Sequence, residues 1–176
     1  MVDKKSLLRV IKVFGGTTVD GPGLRTSIYF AGCRHHCKGC HNPDSWDFNA
    51  GEDMTVEDIL LQVRYYRFNV TMSGGDPLYQ DLDVLAFLCQ EIHKLNLTIW
   101  LYTGYVFEEL VAEKKYDKVL KNIDVVVDGP FILERRSTEI LFRGSDNQRI
   151  LWKDNNNVWK EVYKDKITDI KEKFYE

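Results

Sequence analysis

The most restrictive feature of this chain is a group of three cysteines within eight residues, Cys33, Cys37 and Cys40. Their C-x3-C-x2-C spacing places three thiols on one short loop, where the thiolates can ligate a single metal centre. A [4Fe–4S] cluster normally has four thiolate ligands, so three cysteines leave one iron atom open. An open metal position is where a substrate binds and reacts. The spacing therefore favours a catalytic iron–sulfur cluster on this loop.

Alternatives to a cluster remain open for these cysteines. A tetrahedral zinc site would add one histidine to the three thiols, although zinc-binding cysteine pairs usually recur and the chain has no second pair. The available histidines are His35, His36 and His41. Disulfides suit small secreted domains, and no signal peptide is visible at the start of this sequence. The fourth cysteine, Cys89, lies on the apolar face of a predicted helix and is expected in the core.

Length and composition restrict the class of protein further. The 176 residues fit one domain, with a predicted core over 7–152 and a polar tail over 153–176. Hydrophobic residues make up 44% of the chain, and no apolar run approaches the ~20 residues that span a membrane. The net charge of −3 argues against a nucleic-acid surface. We expect a cytoplasmic protein that binds neither nucleic acid nor membrane.

Strand and helix signals alternate along the chain. Strands are predicted at 7–14, 25–31, 69–72, 97–102 and 123–127, with shorter ones at 140–142 and 149–152. Helices are predicted after a capping box at Thr55 and Asp58, over 81–95 and over 106–120. In the tail, a weak apolar stripe indicates either a surface helix or a frayed end. The stripe consists of Val158, Val162, Tyr163 and Ile170.

This alternation predicts an α/β fold, with a parallel sheet and outer helices. The loops that carry chemically interesting residues follow the carboxyl ends of the predicted strands, where barrel enzymes build their active sites. An eight-fold barrel typically takes ~250 residues, so this chain is too short for one. We therefore expect an incomplete barrel of five or six βα units.

Several segments resemble a known family. Three of them resemble the radical SAM enzymes that activate glycyl-radical enzymes: Asp20–Arg25 (DGPGLR), Cys40–Asp47 (CHNPDSWD) and Ser73–Leu78 (SGGDPL). Three more resemble the activating enzymes of anaerobic ribonucleotide reductases: Trp100–Tyr105 (WLYTGY), Asp124–Gly129 (DVVVDG) and Arg143–Arg149 (RGSDNQR). The segments keep the family's order over roughly residues 11–152.

The resemblance implies a radical SAM-type barrel and a specific chemistry. Cys33, Cys37 and Cys40 would bind a [4Fe–4S] cluster whose open iron chelates S-adenosylmethionine (SAM). The reduced cluster would cleave the sulfonium, giving methionine and a 5′-deoxyadenosyl radical that takes a hydrogen from a glycine Cα. The implied protein substrate is the large subunit of an anaerobic ribonucleotide reductase. A low-potential donor such as flavodoxin would supply the electron.

The resemblance also assigns residues around SAM. Gly74, Gly75 and Asp76 match the motif that meets the methionine amino group, with Asp76 in place of the family's more usual Glu. Thr103 and Asp128 match positions near the ribose or a nearby cation. For Asp128, a simple turn with Gly129 and Pro130 is the alternative.

Other residues have two interpretations. His41 would stack near the adenine, since Gly39 replaces the aromatic residue found in many radical SAM enzymes, or it would be a surface histidine. The segment 143–149 would face the cofactor or the partner, or form a solvated hairpin. Trp46 and Phe48 are large apolar residues in a loop, so they are candidates either for docking the reductase or for the core.

Two other functions stay open at this point. One is activation of another glycyl-radical enzyme of the pyruvate formate-lyase type. Those activases tend to be longer and to carry a ferredoxin-like insert with extra cysteines, which this chain lacks. The other is a zinc-binding module without catalysis, which metal analysis of the anaerobically purified protein would distinguish.

Overall fold

The computed structural model describes residues 1–154 and 156–162. Eight strands form one open sheet in the order β3-β1-β2-β4-β5-β6-β7-β8. The strands are β1 Leu7–Thr17, β2 Arg25–Phe30, β3 Glu52–Thr55, β4 Asn69–Gly74, β5 Ile99–Tyr102, β6 Val125–Asp128, β7 Arg149–Lys153 and β8 Trp159–Glu161. The helices are α1 Val56–Tyr66, α2 Leu82–His93, α3 Phe107–Ala112 and α4 Asp117–Leu120.

The centre of the sheet is parallel and its edges are antiparallel. Strands β2, β4, β5 and β6 pair in parallel, which confirms the predicted α/β class. The predicted parallel pairing is wrong for β1 and β7, which pair antiparallel to β2 and β6, and the unpredicted strands β3 and β8 also pair antiparallel to their neighbours. The parallel part thus has four strands, and their carboxyl ends meet at one edge of the sheet.

The two faces of the sheet carry different side chains because strand residues alternate in direction. On β2, Ile28 and Phe30 join the main apolar core together with the buried residues of α1 and α2. Ser27 and Tyr29 alternate with them, so they lie on the opposite face. Cys89 is fully buried in the main core, as predicted.

The helix predictions are confirmed for α1 and α2 and wrong in part for 106–120. The capping box at α1 is present, since Thr55 Oγ1 accepts from Asp58 N at 3.0 Å. The third predicted helix is interrupted at Glu113, whose backbone is extended, and a short 3-10 turn precedes α4. The interruption falls at the polar run 113–115. Tyr116, at the end of the turn, enters the core with 3% exposure.

The strands predicted from the sequence differ from those in the structure at three places. The predicted strand at 140–142 is wrong, because this segment is a turn in which Phe142 has a positive φ of 58° and packs against Trp100. Strands β3 and β8 were not predicted, since both are short, largely polar edge strands. The predicted surface helix is wrong for Trp159–Glu161, which form β8. The remainder of that stripe, Tyr163 and Ile170, lies outside the described residues.

The described part of the chain, residues 1–154 and 156–162, contains four α-helices, the longest of 12 residues. There, no helix combines the length and the apolar character needed to cross a bilayer.

Candidate cofactor site

The cysteine loop begins directly after β2. Gly32 has a φ of +93°, and a Cβ at this position would lie 2.5 Å from the Phe48 ring. Backbone hydrogen bonds hold the loop, from Gly32 N to Ser45 O at 2.8 Å and from Cys33 N to Trp46 O at 3.3 Å. The result is a buried Cys33, and the half-buried Cys37 and Cys40 follow on the same loop.

All three of these cysteines line one cavity of about 860 Å³ at the carboxyl ends of the parallel strands. Its wall includes residues from the end of β4, the end of β5 and the segment after β6. These lining residues are Ser73, Gly74, Gly75, Tyr102, Thr103, Gly104, Gly129 and Phe131. The cysteine loop, the turn after β4 and the segments after β5 and β6 therefore meet at this edge, and such an edge is where α/β proteins bind ligands.

Burial sets the chemistry of the thiols. It raises the pKa of Cys33 to about 11, and the nearby Asp76 carboxylate and the other cysteines add to the rise. Burial likewise raises the pKa of Cys37. These thiols are therefore protonated in the metal-free protein at neutral pH, and binding a metal as thiolates would release protons.

The donor set fits an iron–sulfur cluster. Three cysteine sulfurs are the soft ligands that such clusters use, and a cluster binds each thiolate through a different iron atom. Within residues 1–154 and 156–162, no three side chains of His, Cys, Asp or Glu are gathered around one point as a single ion would need. All three cysteines line the same cavity.

Gly74 and Gly75 allow the end of β4 to lie against the cysteine loop. Gly74 has a φ of +102°, and a Cβ there would be 2.5 Å from the backbone N and O of Phe30. A Cβ on Gly75 would be 2.4 Å from the carbonyl oxygen of Gly32. The two segments are joined by hydrogen bonds from Gly75 N to Phe30 O at 2.8 Å and from Asp76 N to Gly32 O at 2.9 Å.

Asp76 is 1% exposed, and its carboxylate is used within the protein. Its Oδ2 accepts from Thr103 Oγ1 at 2.8 Å and from Gly104 N at 3.0 Å, and it lies 2.8 Å from Nε2 of His35. Its Oδ1 accepts from Leu78 N at 3.0 Å. Asp76 is not among the residues that line the cavity, whereas Thr103 and His35 are.

His41 lies on the cavity wall with an exposed side chain. Its ring is 4.9 Å from the ring of Phe131, between centroids. A Cβ on Gly39 would meet the side chain of Leu133 at 2.9 Å. The space beside the last cysteine is thus bounded by Phe131 and Leu133, and stacking of His41 on an adenine stays a prediction.

Asp128 lies apart from the cavity. Alternation along β6 places it with Val126 on the helix-covered face, where it is 1% exposed. Its carboxylate accepts from Phe107 N at 2.8 Å, at the start of α3, and from Arg149 Nη2 at 2.5 Å. Arg149 also makes a bidentate ion pair with Glu108, at 2.9 and 2.7 Å. This pair lowers the pKa of the Glu108 carboxyl.

Comparisons with known proteins identify the family of the chain. A family model described as a 4Fe-4S single cluster domain matches residues 19–151. Curated relatives are named anaerobic ribonucleoside-triphosphate reductase-activating protein. The relative from Salmonella typhi is 37% identical over 139 residues, covering 74% of this chain and 89% of that protein. The chain belongs to this family.

Further members of this activating-protein family match over still more of the chain. The one from Haemophilus influenzae is 35% identical and covers 81% of this chain and 97% of its own length. The one from Enterobacteria phage T4 is 36% identical, with 81% and 92% covered. Among solved structures, QueE from Escherichia coli is a distant likeness, 17% identical with a TM-score of 0.45 over 56% of this chain and 52% of that one.

A polar cluster that was not predicted from the sequence reaches the cavity of this activating protein through Asp20 and Tyr29. Asp20 accepts hydrogen bonds from Ser27 Oγ at 2.7 Å and from the Tyr29 hydroxyl at 2.5 Å. Burial raises the pKa of Tyr29 to about 12, and the bond to Asp20 adds to the rise. Strict alternation on β2, with Ser27 and Tyr29 opposite the apolar core residues, was the signal that could have found this cluster.

Proposed function

We propose that this protein activates an anaerobic ribonucleoside-triphosphate reductase by generating a glycyl radical on its large subunit. One observation carries the proposal. In a chain of the activating-protein family, three thiols of one loop share a cavity with the Gly-Gly turn after β4 and with Thr103 after β5. When bound, a [4Fe–4S] cluster and SAM supply the chemistry, namely reductive cleavage of the sulfonium coupled to hydrogen abstraction from a glycine Cα.

The roles of the chain's own residues follow from their positions. Cys33, Cys37 and Cys40 hold the cluster, and a set of three leaves one iron free for SAM. Gly74 and Gly75 line the cavity with their backbone, which lets a ligand approach closely because neither has a side chain.

The rest of the cavity wall orients SAM and limits the access of water. Thr103 lines the cavity at the end of β5, where its hydroxyl donates to Asp76, and His41 and Phe131 offer ring surface beside the last cysteine. Tyr102 and Phe142 close another side, where the Tyr102 hydroxyl donates to Phe142 O at 2.9 Å. Excluding water protects reactive species from side reactions, which chemistry of this kind requires.

We also propose a domain organisation, an electron donor and a cellular location for this protein. Residues 1–176 act as a single radical SAM domain, with the four parallel strands as the centre of an incomplete barrel. A low-potential donor such as flavodoxin delivers the electron, and activation takes place in the cytoplasm. The family membership supports the choice of the reductase as the protein substrate.

The test is anaerobic activation of the partner. The protein is purified without oxygen, its iron and sulfide are measured, and it is mixed with the reductase large subunit, SAM and a strong chemical reductant. We expect a glycyl radical signal by EPR that requires SAM and is absent with Cys33→Ala. A protein that contains zinc and no iron, or a radical that forms on pyruvate formate-lyase and not on the reductase, would contradict the proposal.

A further inference from the structure

One buried carboxylate joins three segments of the site. Asp76 Oδ2 is bonded to His35 in the cysteine loop and to Thr103 and Gly104 at the end of β5. Its Oδ1 accepts from Leu78 N in the turn that follows β4. The cysteine loop, β4 and β5 are therefore held in one arrangement by a single side chain.

Most of the acceptor capacity of this carboxylate is used within the protein, with three bonds to Oδ2 and one to Oδ1. A carboxylate offers about four lone-pair positions, and four groups of the chain already bond to that of Asp76. At 1% exposure it lies behind the cavity wall, which Gly74 and Gly75 form. The Asp76 side chain is therefore shielded from the cavity and is engaged with the chain's own donors.

The His35 ring is held by neighbouring aromatic rings as well as by Asp76. Its ring meets that of Tyr105 edge-on at 4.7 Å and lies 5.7 Å from that of Tyr79. A Cβ on Gly104 would be 2.4 Å from His35 Cδ2, so the strand end leaves room for this ring only because residue 104 is glycine. His35 stands midway between Cys33 and Cys37, and its position constrains where both thiols point.

We infer that Asp76 and His35 form a latch that positions the cysteine loop against the SAM-binding edge of the sheet, and that Asp76 is a positioning residue and not a ligand of SAM. This inference rests on the proposed function, since it assigns a role within the same site. It also explains the aspartate at this position. One more methylene would push the carboxylate past His35 and Thr103, because a side chain this buried has no space to extend.

A double-mutant cycle tests the latch. The variants are Asp76→Ala, His35→Phe, which keeps a ring but removes the Nε2 donor, and the double variant. His35→Gln keeps a donor of similar reach. The control is His36→Asn, since His36 is the next residue in the loop, is exposed and contacts only the Trp46 ring in the aromatic pairs of the described chain.

Three quantities are measured on each reconstituted protein: retained iron and sulfide, the EPR spectrum of the reduced cluster with and without SAM, and the SAM affinity by titration. We expect both single variants to lose cluster affinity about 10-fold or more, as is typical when a group supporting a metal ligand is removed. The double variant should bind the cluster no more weakly than the more impaired of the two single variants, because the two residues act as one unit. His35→Gln should regain most of the cluster and its SAM-dependent spectrum, and His36→Asn should match the unmodified protein.

Other outcomes overturn the inference. If Asp76→Ala weakened SAM binding while iron content stayed normal and His35→Phe had no effect, Asp76 would be a SAM ligand. Additive losses in the double variant, or no recovery with His35→Gln, would show that the two residues do not work together. An unmodified protein that bound no iron would instead refute the proposed function, so the two failures are distinguishable.

Discussion

At the scale of single residues, the four cysteines differ in what surrounds them. Cys33, Cys37 and Cys40 reach the cavity from one loop. Cys89 is fully buried on α2, with its sulfur 3.8 Å from that of Met72. Burial raises the pKa of the Cys89 thiol far above its ordinary value, so it stays a neutral, apolar group in the core.

Alanine substitutions should separate these two kinds of cysteine. Cys33→Ala, like the same change at Cys37 or Cys40, should abolish the cluster, as judged by iron and sulfide analysis after reconstitution. Cys89→Ala should keep the cluster and lose about 1 kcal/mol of unfolding free energy, because it leaves a small void. The assignment is wrong if Cys89→Ala loses the cluster and Cys33→Ala retains it.

The hydroxyl of Tyr29 predicts a pH dependence of stability. Its pKa is raised to about 12 in the folded protein by burial and then by Asp20, whereas an unfolded tyrosine ionises near 10. Because the unfolded state loses its proton first, this stabilisation is complete below pH 10 and is lost as the pH rises towards 12. Tyr29→Phe should therefore flatten the decline of unfolding free energy between pH 10 and 12, measured by denaturant titration. Tyr65→Phe, at a tyrosine that is 82% exposed, should leave that decline unchanged.

At the scale of elements, the predictions succeeded where apolar residues recur at the spacing of a strand or a helix. The strands β5 and β6 are short, largely apolar runs, β2 and β4 alternate apolar with polar residues, and α1 and α2 carry regular apolar stripes. Parallel pairing of those strands was enough to bring the cysteine loop, the Gly-Gly turn and Thr103 to one edge. Strands β3 and β8 were not predicted, because an edge strand needs few apolar residues to pair with its neighbour.

Side-chain direction at the strand ends could not be predicted in the same way. Asp128 matched a cofactor position in sequence, yet it faces the helices because the alternation on β6 puts Val125 and Val127 on the other side. Phe142 was assigned to a strand, whereas its apolar ring packs on Trp100 from a turn. In each case, one residue of register or one turn decides the outcome, and local composition does not encode it.

Two strand-end glycines offer a matched comparison. Gly74 and Gly129 both have positive φ, +102° and +94°, and an L-residue in that region costs about 1–2 kcal/mol. Only Gly74 also lacks space, since its Cβ would lie 2.5 Å from backbone atoms of Phe30, whereas at Gly129 the nearest atom is 3.8 Å away. Gly74→Ala should lower the unfolding free energy by about 4 kcal/mol or more. Gly129→Ala should lose about 1–2 kcal/mol, and equal losses in the two variants would contradict this account.

At the scale of the whole molecule, the sheet separates stability from chemistry. One face is covered by helices and holds the main core, and the carboxyl ends of the parallel strands carry the cavity. The cavity must stay accessible because the proposed substrate is a residue of another protein. A glycine has no side chain to recognise, so the partner must be bound by surfaces outside the reacting position.

Trp46 is the residue that we expect to dock the reductase. Its half-buried ring lines the cavity and packs edge-on against His36 at 4.9 Å, beside Phe48, which is 40% exposed. Aromatic side chains of this kind often anchor interfaces. Trp46→Ala should keep the cluster and still cleave SAM with a strong reductant, but it should fail to produce the glycyl radical in the partner, as measured by EPR.

The matched control for this last prediction is Trp159→Ala. Trp159 lies on the edge strand β8 and packs on Phe107 with 5.1 Å between the ring centroids. It does not belong to the cavity wall. Its loss should lower stability and leave the radical yield per folded molecule unchanged. If Trp46→Ala lost the cluster, the ring would be a packing element of the cysteine loop. A full radical yield with Trp46→Ala would remove it from the docking surface.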